Sequence, residues 1–328
     1  TSRGLLESDA VIGTSLVDMY AKYGMLKKAQ DIFDHIWTRD VVTWTALISG
    51  YADHECNVKA IMCYQHMKLE GICPNDFTFS CILRACDTLN SCRINEIPSK
   101  LIIETGIEIH CELARVGSLN RSVVVATSLV DMYTKCGLLE EAWKVLEKLP
   151  NRNVISWSSV IAGYAQVGHD DIVIALFNRM IGESINPDLI TCAIVLNACS
   201  RSGQLDKGEM YFEAMYSSYG IASTLDLCTC MVDMFGRAGQ FSKIVLVIEK
   251  LPTLDYLPTW TTLLGACHKW RNVNIGRWAF EQSIGLDKNC ASAYVFMQNL
   301  YAAVDVQMEV DESKVPIVKD KEMALGIC

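Results

Sequence analysis

The chain has 328 residues, 51% of them hydrophobic, and a formal net charge of −9 at pH 7. This composition excludes a disordered chain, and no apolar run approaches the length of a membrane span, so we expect a soluble protein with a long buried core. The acidic balance argues against a generic polyanion binder, and the scattered cysteines, which include no C-x-x-C pair, are interpreted as mostly buried reduced thiols and not as a disulfide scaffold.

One stretch of sequence recurs along the chain. SLVDMYAKYGMLKKA (Ser15 to Ala29) returns as SLVDMYTKCGLLEEA (Ser128 to Ala142), and a looser copy begins at Met231. A repeated segment of this kind indicates a repeat architecture, in which function lies along a surface and seldom at one catalytic point.

Each unit predicts a helix, a turn and a second helix. The second helix carries one apolar stripe at helical spacing, as in Ala29, Ile32, Phe33 and Ile36. A glycine between the helices is expected to end the first helix in a left-handed conformation. These glycines are Gly24, Gly137, Gly168 and Gly239. Since one helix pair cannot bury its stripe alone, the units must stack.

The unit at residues 76–122 is longer than the others. Its extra residues lie around 91–105 and include Pro98. Because proline cannot donate a backbone hydrogen bond inside a helix, we expect a loop or a distorted helix in this insertion. Three tryptophans at equivalent places in their units, Trp44, Trp157 and Trp260, are expected to be core residues.

The motifs resemble those of the pentatricopeptide repeat family. VVTWTALISGYA (Val41 to Ala52) and VISWSSVIAGYA (Val154 to Ala165) are similar to its standard-length repeat, SLVDMYAKYGMLKKAQDIFD to its short repeat, and LITCAIVLNACSRSGQLDKGEMYF to its long repeat. A mixture of three repeat lengths (P, L and S) is typical of plant organelle RNA editing factors. The resemblance implies an all-α fold, a right-handed superhelical solenoid of helix-turn-helix repeats.

The resemblance also divides the chain. Residues 1–9 are then the tail of a long repeat, and seven repeats occupy residues 10–40, 41–75, 76–122, 123–153, 154–188, 189–224 and 225–256. PTWTTLLGACHKWRNVNIG and SAYVFMQNLYAA resemble the two extension motifs (E1 and E2) that follow the repeats in such factors, so residues 257–324 are assigned to helical extension units and residues 325–328 to a tail.

Helical repeats of this kind read single-stranded RNA with two or three side chains per base. In the family that the chain resembles, the readers are the fifth and the last residue of a repeat, and the second residue wedges against the base. The reader pairs carried over are Thr14 with Asp40 (implying guanine), Thr45 with Asn75 (adenine), Thr127 with Asn153 (adenine) and Ser158 with Asp188 (guanine, more weakly). The wedges are Val11, Val42, Val124 and Ile155.

Three repeats depart from the pattern. Thr229 is the fifth residue of the last repeat, but Tyr256 stands where an Asp or Asn is expected, and the long repeats offer little readable information. With the 5′ end of RNA at the first repeat, the implied site is G-A-x-A-G-x-x. The alternative for every pair is that these Ser, Thr, Asp and Asn residues are only helix caps.

A catalytic site is not expected. His110-Cys111-Glu112 matches the H-x-E of the cytidine deaminases that end related factors, but the P-C-x-x-C that would complete their zinc site is missing. We therefore predict a protein that is not an enzyme, with no catalytic residue, no metal, no cofactor and no small-molecule substrate.

The resemblance implies sequence-specific recognition of single-stranded organelle RNA, most directly site recognition for C-to-U editing. A deaminase-bearing editing protein would be recruited in trans through residues 257–324, which could equally cap the apolar end of the solenoid. The alternatives are an organelle splicing or stability factor and a protein-binding scaffold. A mitochondrial or chloroplast location is implied, with any targeting peptide upstream of Thr1.

Overall fold

The computed structural model describes residues 10–86, 99–221, 224–251 and 253–303. In these ranges the regular secondary structure consists of seventeen α-helices and one 3-10 turn, with no strand. The helices are α1 (Ala10–Lys22), α2 (Leu26–Asp34), α3 (Val41–Asp53), α4 (Asn57–Leu69), α5 (Asp76–Ala85), α6 (Ser99–Val116), α7 (Val123–Lys135), α8 (Leu139–Lys148), α9 (Val154–Gln166), α10 (Asp170–Gly182), α11 (Leu189–Ser202), α12 (Leu205–Ser217), α13 (Leu225–Ala238), α14 (Phe241–Glu249), α15 (Leu257–Trp270), α16 (Val273–Leu286) and α17 (Ala291–Ala303).

The chain forms two compact units, divided after Val167. In the first unit, α1, α3, α5, α7 and α9 form a row in which each helix contacts the next, and α2, α4, α6 and α8 each contact the row helices before and after them. In the second unit, α11, α13, α15 and α17 form the same kind of row, with α12 and α16 each between two row helices. The odd-numbered helices are called row helices below, and the even-numbered ones back helices.

The apolar stripes of the back helices supply the core. Ala29 and Phe33 of α2 and Ala142, Val145 and Leu146 of α8 are buried, as expected from their spacing. The three recurrent tryptophans are also buried, and the Trp44 ring packs edge-on against Phe33 with 4.6 Å between ring centroids. Their prediction as core residues is confirmed.

Glycines shape the units in two ways. The predicted left-handed glycines have positive φ angles, for example +73° at Gly24 and +74° at Gly239, a region that only glycine enters at little cost. A different glycine allows two row helices to approach closely. A Cβ at Gly50 of α3 would lie 2.4 Å from the Ala21 Cβ of α1, so this crossing has no room for a side chain.

The insertion differs in part from the expectation. Residues 99–105 belong to α6, an α-helix of 18 residues, so the prediction of a loop or distorted helix is wrong for them. The physical reason is that residues 99–105 contain no proline, so each of them has a backbone N–H that can be used in a helix. Residues 91–98 lie outside the described part of the chain.

Most of the described cysteines are buried or half-buried free thiols, and only Cys73 and Cys111 are exposed. Among the described helices, none combines the length and the apolar character that crossing a membrane requires.

Candidate RNA interface

The last residues of four predicted repeats are N-caps of the following row helix. Asp40, Asn75, Asn153 and Asp188 have extended backbones, and each accepts a hydrogen bond of 2.8 Å on Oδ1 from the backbone N–H three residues later. The side chains therefore have a fixed origin and direction, because the cap bond ties one oxygen to the helix end. Capping is therefore observed for these four Asp and Asn residues, and their role as base readers stays a prediction.

Capping uses only one of the two terminal atoms of each side chain. With Oδ1 bound to the helix, Asp40 keeps its second carboxylate oxygen and Asn75 keeps its amide nitrogen, and neither atom has a side-chain hydrogen bond within the described residues. An ionised Asp at this place can only accept a hydrogen bond, whereas the remaining NH₂ group of a capped Asn can only donate. The cap role and the predicted reader role are thus compatible.

Asp40 is held in its ionised form. The backbone N–H of Thr43, which donates to the carboxylate, is the main cause that lowers the pKa of Asp40 below its ordinary value of 3.8. A hydrogen bond to the charged form always acts in this direction. The free oxygen of Asp40 is therefore an acceptor at neutral pH.

The predicted fifth-residue readers lie beside these caps in the first two repeats. Thr14 is half-buried, and its Oγ1 lies 2.6 Å from the Thr43 Oγ1, which itself donates to Asp40 Oδ1 over 2.8 Å. The next repeat repeats the arrangement. Thr45 Oγ1 lies 2.7 Å from Thr78 Oγ1, and Thr78 donates to Asn75 Oδ1 over 2.9 Å.

Repeat 4 is arranged differently at its cap. Thr127 donates its hydroxyl to the Val123 carbonyl over 2.7 Å, and the hydroxyl of Ser156 donates to the Asn153 backbone carbonyl over 2.9 Å, not to the side chain. Thr127 and Asn153 are both half-buried. Within the described residues, no side-chain hydrogen bond joins Thr127 to Ser156 in the way that Thr45 is joined to Thr78.

In repeat 5, Ser158 donates to the Val154 carbonyl over 2.6 Å, as Thr45 does to the Val41 carbonyl. The Thr191 hydroxyl donates to Asp188 Oδ1 over 2.6 Å, as Thr43 does to Asp40.

The four predicted wedge residues are exposed. The exposed fraction is 74% for Val11, 55% for Val42, 68% for Val124 and 59% for Ile155, although each is an apolar residue in the first turn of a row helix. Apolar side chains repeated in one register and left in water are a candidate contact surface for bases.

Two residues of the same register were missed by sequence reasoning. Phe77 and Ile190 are the second residues of the two long repeats and are 62% and 66% exposed. They could have been found from position alone, because the wedge is the second residue of a repeat and can be counted from the start of each repeat.

The last repeat departs from the others as the sequence suggested. Thr229 Oγ1 lies 2.7 Å from Thr259 Oγ1, so its fifth residue contacts the third residue of the next row helix, as in the first two repeats. Tyr256, however, makes no cap bond with its side chain and instead donates its hydroxyl to Asp226, the second residue of the repeat. This repeat therefore offers neither a carboxamide or carboxylate reader nor an apolar wedge.

Several cations along the row helices are paired with carboxylates. Three pairs are spaced one helical turn apart with N–O distances of 2.7–2.8 Å: Asp18–Lys22, Asp131–Lys135 and Asp233–Arg237. Such pairs reduce the net positive charge available to phosphates.

The H-x-E segment is used structurally. Glu112 accepts hydrogen bonds of 3.4 Å from both Tyr64 and Lys68, and His110 Nδ1 lies 2.8 Å from the Tyr133 hydroxyl. Burial lowers the pKa of His110, which favours its neutral form. Among the described residues, no three His, Cys, Asp or Glu side chains are placed to hold a metal ion.

Models of known protein families match several segments of the chain. Models described as "PPR repeat family" match residues 39–87 and 152–201, and models described as "PPR repeat" match residues 14–41, 124–154 and 190–218. Together they cover just over half of the chain.

Relatives from Arabidopsis thaliana agree. A mitochondrial pentatricopeptide repeat-containing protein is 34% identical over 90% of this chain and 45% of its own length, and a second such protein is 35% identical over 91% of this chain and 39% of its own length. This chain therefore spans less than half the length of these relatives.

Solved structures show the same fold. The crystal structure of the pentatricopeptide repeat protein PPR10 from maize matches with a TM-score of 0.56 and 16% identity, over 88% of this chain and 46% of that chain. The predicted all-α fold of helical repeats is confirmed by this match and by the helices described above. The repeated helix pairs, the family matches and the relatives lead to one conclusion: the chain belongs to the pentatricopeptide repeat family.

Proposed function

We propose that this chain binds single-stranded RNA in a sequence-specific manner and acts in the RNA metabolism of an organelle. The observation that carries the proposal is the recurrence, at the start of four row helices (α3, α5, α9 and α11), of a capped Asp or Asn with one unused polar atom beside an exposed apolar residue. This arrangement offers one hydrogen-bonding group and one apolar contact to each base.

The chemistry of the caps suggests which base each repeat selects. The free oxygen of Asp40 can accept from the N1–H and N2–H groups of guanine, which adenine lacks on that edge. The free amide of Asn75 can donate to N1 of adenine, where guanine carries a hydrogen. The proposed preference is thus guanine at the first repeat and adenine at the second and fourth, as the family resemblance implies.

The acidic composition fits base reading better than phosphate binding. Because Lys22, Lys135 and Arg237 of the row helices are each paired with a neighbouring Asp, the proposed affinity comes mainly from base contacts and depends weakly on salt. PPR10, a member of the same family, is known in complex with an 18-nt psaJ RNA element.

The test is selection from a random single-stranded RNA pool with the 328-residue chain at low and at physiological salt. We expect enrichment of a G-A-x-A-G core. Asn75→Asp should change adenine to guanine at the second position only, and the matched variant Asn153→Asp should do so at the fourth only, because an Asp caps its helix as well as an Asn does. Failure to enrich any core at either salt contradicts the proposal.

For the biological role, we propose selection of a cytidine for C-to-U editing, with a deaminase-bearing protein recruited through residues 257–324. The support is the mixed repeat rhythm and the extension motifs of the sequence, and a relative is named as mitochondrial. Loss of editing at one organelle transcript in a knockout plant would support this role. A change in splicing or abundance with all editing sites intact would instead support the splicing or stability role.

A further inference from the structure

The hydroxyl-bearing third residues of the row helices are buried, although their only polar atom lies near the proposed RNA surface. Thr43, Thr78 and Thr259 have exposed fractions of 1%, 0% and 1%. A buried hydroxyl needs hydrogen-bond partners. In each of these cases a partner is the fifth residue of the preceding repeat, which is 29 to 33 positions away in the chain.

In the first two repeats the same hydroxyl also contacts the cap. Thr43 connects Thr14 to Asp40, with oxygen–oxygen distances of 2.6 and 2.8 Å, and Thr78 connects Thr45 to Asn75, with distances of 2.7 and 2.9 Å. The third residue of one repeat thus joins both proposed readers of the repeat before it. Its β-methyl group restricts its rotamers, which keeps the hydroxyl on this line.

We propose that Thr43 and Thr78, whose hydroxyls contact both the cap and the fifth residue of the preceding repeat, are specificity-determining positioning residues for base reading by that repeat. This inference rests on the proposed RNA-binding function. The bridge holds the cap side chain by its Oδ1 and thereby fixes the orientation of its second polar atom. A base whose edge does not match this donor or acceptor cannot be accommodated by rotation of the side chain. Without the bridge, rotation of the side chain accommodates more than one base.

The chain contains a natural control. Repeats 2 and 4 have the same reader types, Thr45 with Asn75 and Thr127 with Asn153, and both imply adenine. Thr45 and Thr127 both lie within hydrogen-bond distance of the carbonyl four residues earlier, Val41 and Val123. Only Thr45 is also 2.7 Å from the third-residue hydroxyl of the next repeat, because the hydroxyl of Ser156 donates to the Asn153 backbone carbonyl. The two repeats therefore differ in the bridge while sharing the readers.

The test compares Thr78→Val with Ser156→Ala in the full 328-residue chain. Binding is measured to RNAs that carry each of the four bases at the second or the fourth position of the G-A-x-A-G core. We expect Thr78→Val to reduce the preference for adenine at the second position by about five-fold, the effect of one hydrogen bond, with no change at the fourth position. Ser156→Ala should leave both preferences unchanged.

Several other outcomes would contradict the proposal. An unchanged preference in Thr78→Val overturns the positioning role while the RNA-binding function stands. Equal relaxation by both variants, or an equal loss of affinity at all positions, also overturns it, because a role in helix capping or folding alone predicts those results. A wild-type chain with no adenine preference at the second position removes the function and the inference together.

A second variant guards against misfolding. Thr43→Val breaks the equivalent bridge between Thr14 and Asp40 and should relax the guanine preference at the first position alone. Circular dichroism melting of each variant shows whether it is folded. If Thr78→Val does not fold, an unchanged guanine preference in Thr43→Val overturns the proposal.

Discussion

Replacing Gly50 with alanine should destabilise the first unit, although alanine is the better helix former. Gly50 lies in the middle of α3, where an added Cβ would be 2.4 Å from the Ala21 Cβ and 3.2 Å from the Ala21 Cα of α1. Non-bonded carbon atoms prefer a separation of about 3.5–4.0 Å, so the two helices must move apart by about 1 Å or more. A methyl group on a helix backbone has no torsion by which it could turn aside.

The magnitude follows from two opposing terms. Alanine in a helix interior gains about 1 kcal/mol over glycine. Overpacking costs about 1–3 kcal/mol, and the upper end applies here because the contact is with a backbone-anchored methyl group. We therefore expect the free energy of unfolding of Gly50→Ala to fall by about 2 kcal/mol, the difference between about 3 and about 1.

Urea unfolding followed by circular dichroism measures this difference. Gly182→Ala is the matched control, because its Cβ would meet nothing within 4 Å and should not lower stability. Ala21→Gly removes the methyl group that the new side chain meets, so the double variant should be less destabilised than the sum of the two single variants. A Gly50→Ala chain that is as stable as the wild type would refute the reasoning from close helix approach.

Two further predictions concern the interface. Phe77→Ala should weaken binding to G-A-x-A-G RNA in a fluorescence anisotropy assay, with little change in melting temperature because the ring is already exposed in the free chain; equal binding would mean that Phe77 does not contact the RNA. Since the pKa of Asp40 is lowered in the folded chain, its cap contributes stability above the ordinary aspartate value of 3.8 and loses it as the pH falls through the lower folded-state pKa. The urea midpoint of the wild type should therefore drop more between about pH 5 and about pH 3 than that of Asp40→Asn, whose amide caps without titrating; parallel profiles would contradict this assignment.

Much of the fold could be predicted because its signals are local. The stripe that contains Ala29 and Phe33 and the turn at Gly24 depend on residues within two helical turns of each other, so their spacing alone identifies them. The caps are equally local, since Asp40 and Asn75 bond a backbone group only three residues further along. The insertion was the exception, because the presence of one proline does not show which of the neighbouring residues can still form a regular helix.

The sequence by itself determined which residue types recur at the start of each row helix, and hence the family, the repeated helix pairs and the candidate readers. The tertiary structure alone decided what surrounds them. The bridge from Thr45 through Thr78 to Asn75, the contact of Gly50 with Ala21 and the use of Glu112 by Tyr64 and Lys68 all join residues about one repeat or more apart. Periodicity shows that two such residues occupy equivalent places, but the distance between their side chains depends on how closely successive helices pack, which a one-dimensional pattern does not contain.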